Sequence, residues 1–222
     1  MYYLYANWKS NKNITQAADW VTTLQSALSP ESKKALEEGV VEIGVFPSYP
    51  HIQRVSDMLK GKKGFVVGTQ DVSEYGDGKH TGLVSASAFA GIATHALVGH
   101  AEMRSYGDTQ EKVASKFGQA IAHSLSPVVC LRNDKEMIKG AKIVAYEPEY
   151  AIGTGVIATN EEIKAMRDRI KAITDCIFLY GGSVAESNIH TLLKENVCEG
   201  FLIGGASLDA KEFARIVHIV ST

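Results

Sequence analysis

The chain has 222 residues, 45% of them hydrophobic, with 23 Lys and Arg against 25 Asp and Glu, for a formal net charge of -2. That length and apolar content suffice for one large core, so a single domain over residues 1–222 is expected. The near-even charge balance gives no electrostatic footprint for nucleic acid or an anionic membrane, although it leaves room for a local anion site. Met1-Tyr2-Tyr3-Leu4-Tyr5-Ala6 has neither the basic segment nor the apolar stretch of a leader. No later run reaches the roughly 18 apolar residues that span a bilayer, and a cytoplasmic protein is predicted. Cys130, Cys176 and Cys198 are odd in number, widely spaced and without a CxxC pair. Free buried thiols are expected, and no metal site.

Eight short apolar, β-rich runs follow one another along the chain: Tyr3 to Asn7, Val41 to Phe46, Phe65 to Gln70, His95 to His100, Pro127 to Leu131, Lys142 to Glu147, Cys176 to Tyr180 and Gly200 to Gly204. Several are almost wholly apolar, as strands covered on both faces should be. Between them lie segments of helical period. Thr15 to Leu28 places Ala18, Val21, Leu24 and Leu28 on one face, and Asn160-Glu161-Glu162 reads as a capped, acidic helix start. Alternation of this kind predicts a parallel α/β sheet. Eight repeats favour a closed (β/α)8 barrel, although counting alone leaves an open doubly wound sheet in play. Only ten residues, Arg132 to Ala141, separate the fifth and sixth strands, which predicts a shortened helical layer after strand 5. Asp71 to Leu83, a polar loop with Gly76, Gly78 and Gly82, is long for a βα connection and suggests a contact or binding role.

In a parallel barrel the chemistry sits at the carboxyl ends of the strands. Four such features stand out, the last of them a pair of strand ends. Ala6-Asn7-Trp8-Lys9 delivers a lysine that, alone, reads first as a solvated surface ammonium. Leu97-Val98-Gly99-His100-Ala101-Glu102 delivers an imidazole, which in isolation reads first as structural. His95, His123 and His190 lack such company and are read as structural. Val144-Ala145-Tyr146-Glu147-Pro148 ends in a carboxylate whose burial should raise its pKa toward that of a useful general base. Pro148 on one side and Gly153 and Gly155 on the other supply the hinges of a lid. Finally, Tyr180-Gly181-Gly182-Ser183 and Ile203-Gly204-Gly205-Ala206-Ser207 end the last two strands, where glycines let backbone NH groups reach a phosphate dianion. Together the ends supply a base, an electrophile, a cation, a phosphate cradle and a lid. No Ser-His-Asp set, dinucleotide GxGxxG or metal cluster accompanies them, so proton transfer beside a carbonyl without a cofactor fits best.

With these motifs in order, the chain closely resembles the triosephosphate isomerase family along its whole length. The resemblance runs through Ala6-Asn7-Trp8-Lys9, Gly99-His100, Ala145-Tyr146-Glu147-Pro148, Ala151-Ile152-Gly153-Thr154-Gly155, Tyr180-Gly181-Gly182-Ser183-Val184 and Gly204-Gly205-Ala206-Ser207-Leu208. It implies a single-domain TIM barrel that interconverts D-glyceraldehyde 3-phosphate and dihydroxyacetone phosphate in glycolysis and gluconeogenesis. On this likeness Glu147 would remove the carbon-bound proton, His100 would polarise the carbonyl, and Lys9 would stabilise the developing charge. Asn7 would orient substrate and Lys9, and Glu102 matches the family's acidic residue beside the lysine. The backbone of Gly153, Ser183, Gly204 and Gly205 would hold the phosphate. These roles belong to the family, itself the standard instance of a Glu base and neutral His electrophile under a closing loop, and are carried over by resemblance only.

The chain departs from the family pattern at several points. The serine after the histidine is Ala101, an arginine is Met103, and an acidic residue after Thr81-Gly82 is Leu83. The lid tryptophan is Tyr150, and the glutamate that meets it aligns with Asn133. The resemblance further implies a homodimer whose Thr81-Gly82 tip reaches the neighbouring subunit, with a tetramer as the alternative suggested by the compact fifth unit. Two other readings share these residues: a phosphosugar isomerase of different substrate on the same barrel, and a barrel that binds but no longer turns over.

Overall fold

The computed structural model describes residues 1–222. Its centre is a closed parallel barrel in strict chain order: β1 (Tyr2–Asn7), β2 (Val41–Phe46), β3 (Phe65–Thr69), β4 (His95–Val98), β5 (Ser126–Leu131), β6 (Ile143–Tyr146), β7 (Ile177–Tyr180) and β8 (Gly200–Ile203). Each of the eight apolar runs forms a strand. β1 closes the ring by pairing with both β2 and β8, which settles the choice between barrel and open sheet. Tyr5, Phe46, Leu97, Val128, Leu179 and Leu202 fill the interior, so the barrel is a packed core rather than a pore. The two large rings fit only because Gly44 and Gly68 face them: a Cβ there would lie 2.5 Å from the Tyr5 ring and 2.1 Å from the Phe46 ring.

The outer layer is less regular than the alternating pattern predicts. β1 is followed by α1 (Ile14–Ala27) and α2 (Pro30–Glu37), β2 by α3 (Ile52–Leu59), and β4 by α4 (Ala101–Ser105) and α5 (Gln110–Ala122). β6, β7 and β8 are followed by α6 (Asn160–Ile173), α7 (Glu186–Leu193) and α8 (Ala210–Ser221). After β5 there is only a 3-10 turn, Asp134–Glu136, as the short spacing requires. β3 is likewise followed only by a 3-10 turn, Ala86–Phe89, because the chain runs first through the long loop. The helical layer is therefore thin in two places, and the sequence pattern had indicated one. The start of α6 also differs by a residue. Thr159 is its cap, and a capping box with Glu162 satisfies the first amides. All three cysteines are buried and free.

Candidate active site

The carboxyl ends of the strands converge on a cavity of about 230 Å³ lined by Asn7, Lys9, His100, Glu147, Gly153, Ser183, Gly204 and Gly205, among others. Residues from β1, β4, β6, β7 and β8, up to 198 positions apart in the chain, thus share one small volume. Glu102 stands at its edge, bound to Lys9.

Lys9 sits in the left-handed region at φ 53°, a conformation that costs free energy for a side chain with a Cβ. Two side chains hold it there. Asn7 Oδ1 accepts the Lys9 amide at 3.0 Å, and Gln70 Nε2 donates to the Lys9 carbonyl at 2.8 Å and to the Phe46 carbonyl at 2.8 Å. The ammonium then meets Glu102 Oε1 at 2.8 Å. Gln70 was not singled out from sequence. It lies just beyond β3, so the rule that drew attention to the other strand ends would have found it.

His100 follows β4 and is almost wholly buried. Its Nδ1 accepts the Glu102 amide at 3.2 Å, which leaves the ring proton on Nε2, facing Glu147 Oε1 at 3.1 Å. The second Glu147 oxygen, Oε2, accepts the Ala101 amide at 3.3 Å. Where the family pattern has a serine hydroxyl, a backbone amide of this chain holds the resting carboxylate.

The expected rise in the Glu147 pKa is not what this arrangement produces. Burial does push the carboxyl upward, but His100, the Ala101 amide and Lys9 outweigh it and hold Glu147 below the ordinary carboxylate range. Burial correspondingly lowers the imidazole, and Glu147 more than offsets this, so His100 is raised while the two are paired. Burial alone would raise Glu147; its partner across the barrel end reverses the sign.

The lid begins with a 3-10 turn, Glu149–Ala151, directly behind Pro148. Its far side rests on the turn after β7. The Gly155 amide donates to Ser183 Oγ at 3.1 Å, Ser183 Oγ donates to the Ala151 carbonyl at 2.5 Å, and the Ala158 amide donates to the Tyr180 hydroxyl at 2.7 Å. Tyr150, at the family's tryptophan position, donates to Glu162 Oε2 at 3.0 Å.

The other departures have structural outcomes. Asn133 caps the 3-10 turn after β5, and the carboxylate near this strand end comes from Glu136 instead. Glu136 accepts from the Arg132 amide at 2.8 Å and lies 3.5 Å from Arg104 Nε. Arg104 also donates to the Gly99 carbonyl at 2.8 Å, tying the β4 end to this turn. Met103 and Leu83 line a neighbouring groove of about 560 Å³ that opens onto Lys9, His100 and Glu102. Deeper in that groove lies a buried cluster unseen in the sequence: Lys116 Nζ sits 2.7 Å from both Asp71 Oδ2 and Asp108 Oδ2.

A parallel barrel with a carboxylate, an imidazole and an ammonium around a glycine-bordered cavity is the layout of an enzyme that acts on a small anion. The triosephosphate isomerase family model matches residues 2–220. Among curated proteins the chain is similar to the triosephosphate isomerase of Leifsonia xyli subsp. xyli, at 33% identity over 96% of this chain and 94% of the relative. It is also similar to that of Mycoplasmopsis pulmonis, at 33% over 95% and 94%, and to that of Saccharopolyspora erythraea, at 35% over 95% and 93%. The chain belongs to the triosephosphate isomerase family.

Proposed function

We propose that this chain is an active isomerase that interconverts D-glyceraldehyde 3-phosphate and dihydroxyacetone phosphate, serving glycolysis and gluconeogenesis in the cytoplasm as one domain. The observation that carries the reading is the meeting of Glu147, His100 and Lys9 in a cavity bordered by Gly204 and Gly205. Glu147 swings from its resting contacts to remove the proton from the carbon next to the carbonyl. The Nε2–H of His100 then polarises the carbonyl and exchanges protons with the enediolate oxygens, while Lys9, oriented by Glu102 and Asn7, offsets the negative charge. Leaving His100 deprives the carboxylate of its strongest partner, so its proton affinity rises as the proton is taken. Amides of Gly153, Ser183, Gly204 and Gly205 hold the phosphate, and the lid excludes water.

The same reading makes the chain a homodimer. The 560 Å³ groove beside the site is bordered by Tyr49, Leu83 and Tyr106, which is 82% exposed, and is suited to receive the Thr81-Gly82 tip of a second copy. No helix of the structure is long and apolar enough to cross a membrane.

The test is a coupled reductase assay of turnover with D-glyceraldehyde 3-phosphate, alongside Glu147→Gln prepared identically to reveal contaminating host enzyme. Turnover present in the wild type and lost in the variant supports the reaction and its base. Equal background in both would overturn it; a longer sugar phosphate as the better substrate would indicate a different isomerase, and binding without turnover a retired one.

A further inference from the structure

The lid contacts with the turn after β7 use lid backbone groups at Ala151, Gly155 and Ala158. A fourth contact is of another kind and runs to another element. The Tyr150 hydroxyl reaches Glu162 Oε2, and that same oxygen accepts the Thr159 amide at 2.9 Å in the capping box of α6. The acceptor is therefore already fixed. Glu162 stands in the first turn of a helix anchored in the core by Ile163, Met166 and Ile170, and the Thr159 hydroxyl in turn accepts the Glu162 amide. A carboxylate held at both its backbone and its side chain loses little entropy in binding the phenol.

On the lid side, Tyr150 lies three residues after Glu147, with only Pro148 and Glu149 between them. Pro148 restricts the backbone there, so a fixed Tyr150 fixes the pivot on which both the lid tip and the carboxylate turn. The contact coexists with the Gly155 amide on Ser183 Oγ, that is, with the lid tip down on the glycine turn.

We infer that Tyr150 and Glu162 are positioning residues of the site: their hydrogen bond holds the lid pivot against α6 with the tip down, and so sets how long a bound phosphate ester stays enclosed. The inference rests on the proposed reading of the cavity as a phosphate-ester site. It concerns residues that touch neither the reacting atoms nor the phosphate.

The test uses the full chain and three variants. Tyr150→Phe removes only the hydroxyl, Glu162→Ala removes both cap and tether, and Glu162→Gln keeps an acceptor oxygen for both. The probes are inorganic phosphate and glycerol 3-phosphate, a saturated analogue. An exposed neutral-to-charged hydrogen bond predicts a loss of about three- to tenfold in analogue affinity for Tyr150→Phe, with faster amide exchange confined to residues 153–158. Glu162→Ala should match it, the double variant should be no worse than Glu162→Ala, and Glu162→Gln should recover most of the loss. KM should rise with kcat lowered by less, because the enclosed state is lost and the chemical groups are not. Unchanged exchange and analogue affinity in Tyr150→Phe would overturn the inference and leave Glu162 as a helix cap only, as would a double variant clearly worse than Glu162→Ala, which would show that the two residues act separately. If the wild type lacked turnover, the isomerase reading would fall, while exchange and phosphate binding would still decide the tether.

Discussion

Glu147 and His100 are paired in the resting site, Oε1 to Nε2 at 3.1 Å, with the other carboxylate oxygen on the Ala101 amide. A base stored on its own electrophile is kept ionised although it is fully buried. Burial raises its pKa, and the imidazole supplies the largest opposing pull, leaving it below the ordinary range. Replacing His100 with Gln should therefore move the Glu147 titration upward. Carboxyl-carbon NMR of the labelled glutamate, followed from acid to neutral pH, would show it. A midpoint that stayed put would mean that the Ala101 amide and Lys9, not His100, hold the charge.

Glu102 has no direct path to a substrate carbon, yet it grips the Lys9 ammonium at 2.8 Å. The lysine backbone is already fixed by Asn7 and Gln70, so Glu102 governs only the end of the side chain. Glu102→Gln should leave the fold intact and lower kcat/KM by roughly ten- to a hundredfold, the scale expected when a charged group is misplaced by about 1 Å. Steady-state kinetics with a matched melting curve separate this from instability, and unchanged kcat/KM would remove Glu102 from the supporting set.

The barrel was legible in the sequence because eight buried strands impose eight apolar runs, and because its chemistry lies at their ends. Lys9, His100 and Glu147 each stand just past such a run. Gln70, just past β3, carried the same signal; the rest of what escaped had none. The missing helix after β3 is hidden because a long polar loop and a helix linker occupy similar lengths. With Asn133 in place of a carboxylate, the lid aromatic Tyr150 takes its acceptor from Glu162 on α6, a partner that position-by-position comparison cannot reveal. The lowered Glu147 pKa depends on a partner 47 residues away in the chain, a distance that periodicity does not see. Lys116 reads from its helix as one more surface lysine, and only the fold brings Asp71 and Asp108 to it.

Gly182 marks a packing requirement that can be tested directly. A Cβ at this position would lie 2.2 Å from the Tyr180 hydroxyl and 2.9 Å from the Ala151 Cβ. Gly182→Ala must therefore push Tyr180 off the Ala158 amide and lift the start of the lid. A destabilisation of about 1–3 kcal/mol is expected from the overpacking, together with weaker binding of inorganic phosphate. A melting curve and a phosphate titration matching wild type would show that the turn yields without disturbing the lid.

Asp71 offers the clearest pH dependence outside the catalytic groups. Burial drives its pKa from 3.8 up to about 6, with Asp108 adding to the rise, even though Lys116 pulls the other way. Its Oδ1 is buried without a hydrogen-bond partner. Because the folded pKa exceeds the unfolded one, the folded state binds the extra proton. The cost of the charge is therefore absent below pH 3.8 and complete above about pH 6. Burial of the charge thus outweighs the attraction to Lys116. Asp71→Asn removes the charge and keeps the shape, while Lys116 retains Asp108 at 2.7 Å. At pH 8 the variant should melt higher than wild type by a few degrees, and the advantage should vanish as pH falls toward 4. Thermal melts across that range decide the matter: a variant less stable than wild type at pH 8 would show that the Lys116 ion pair outweighs the burial of the Asp71 carboxylate.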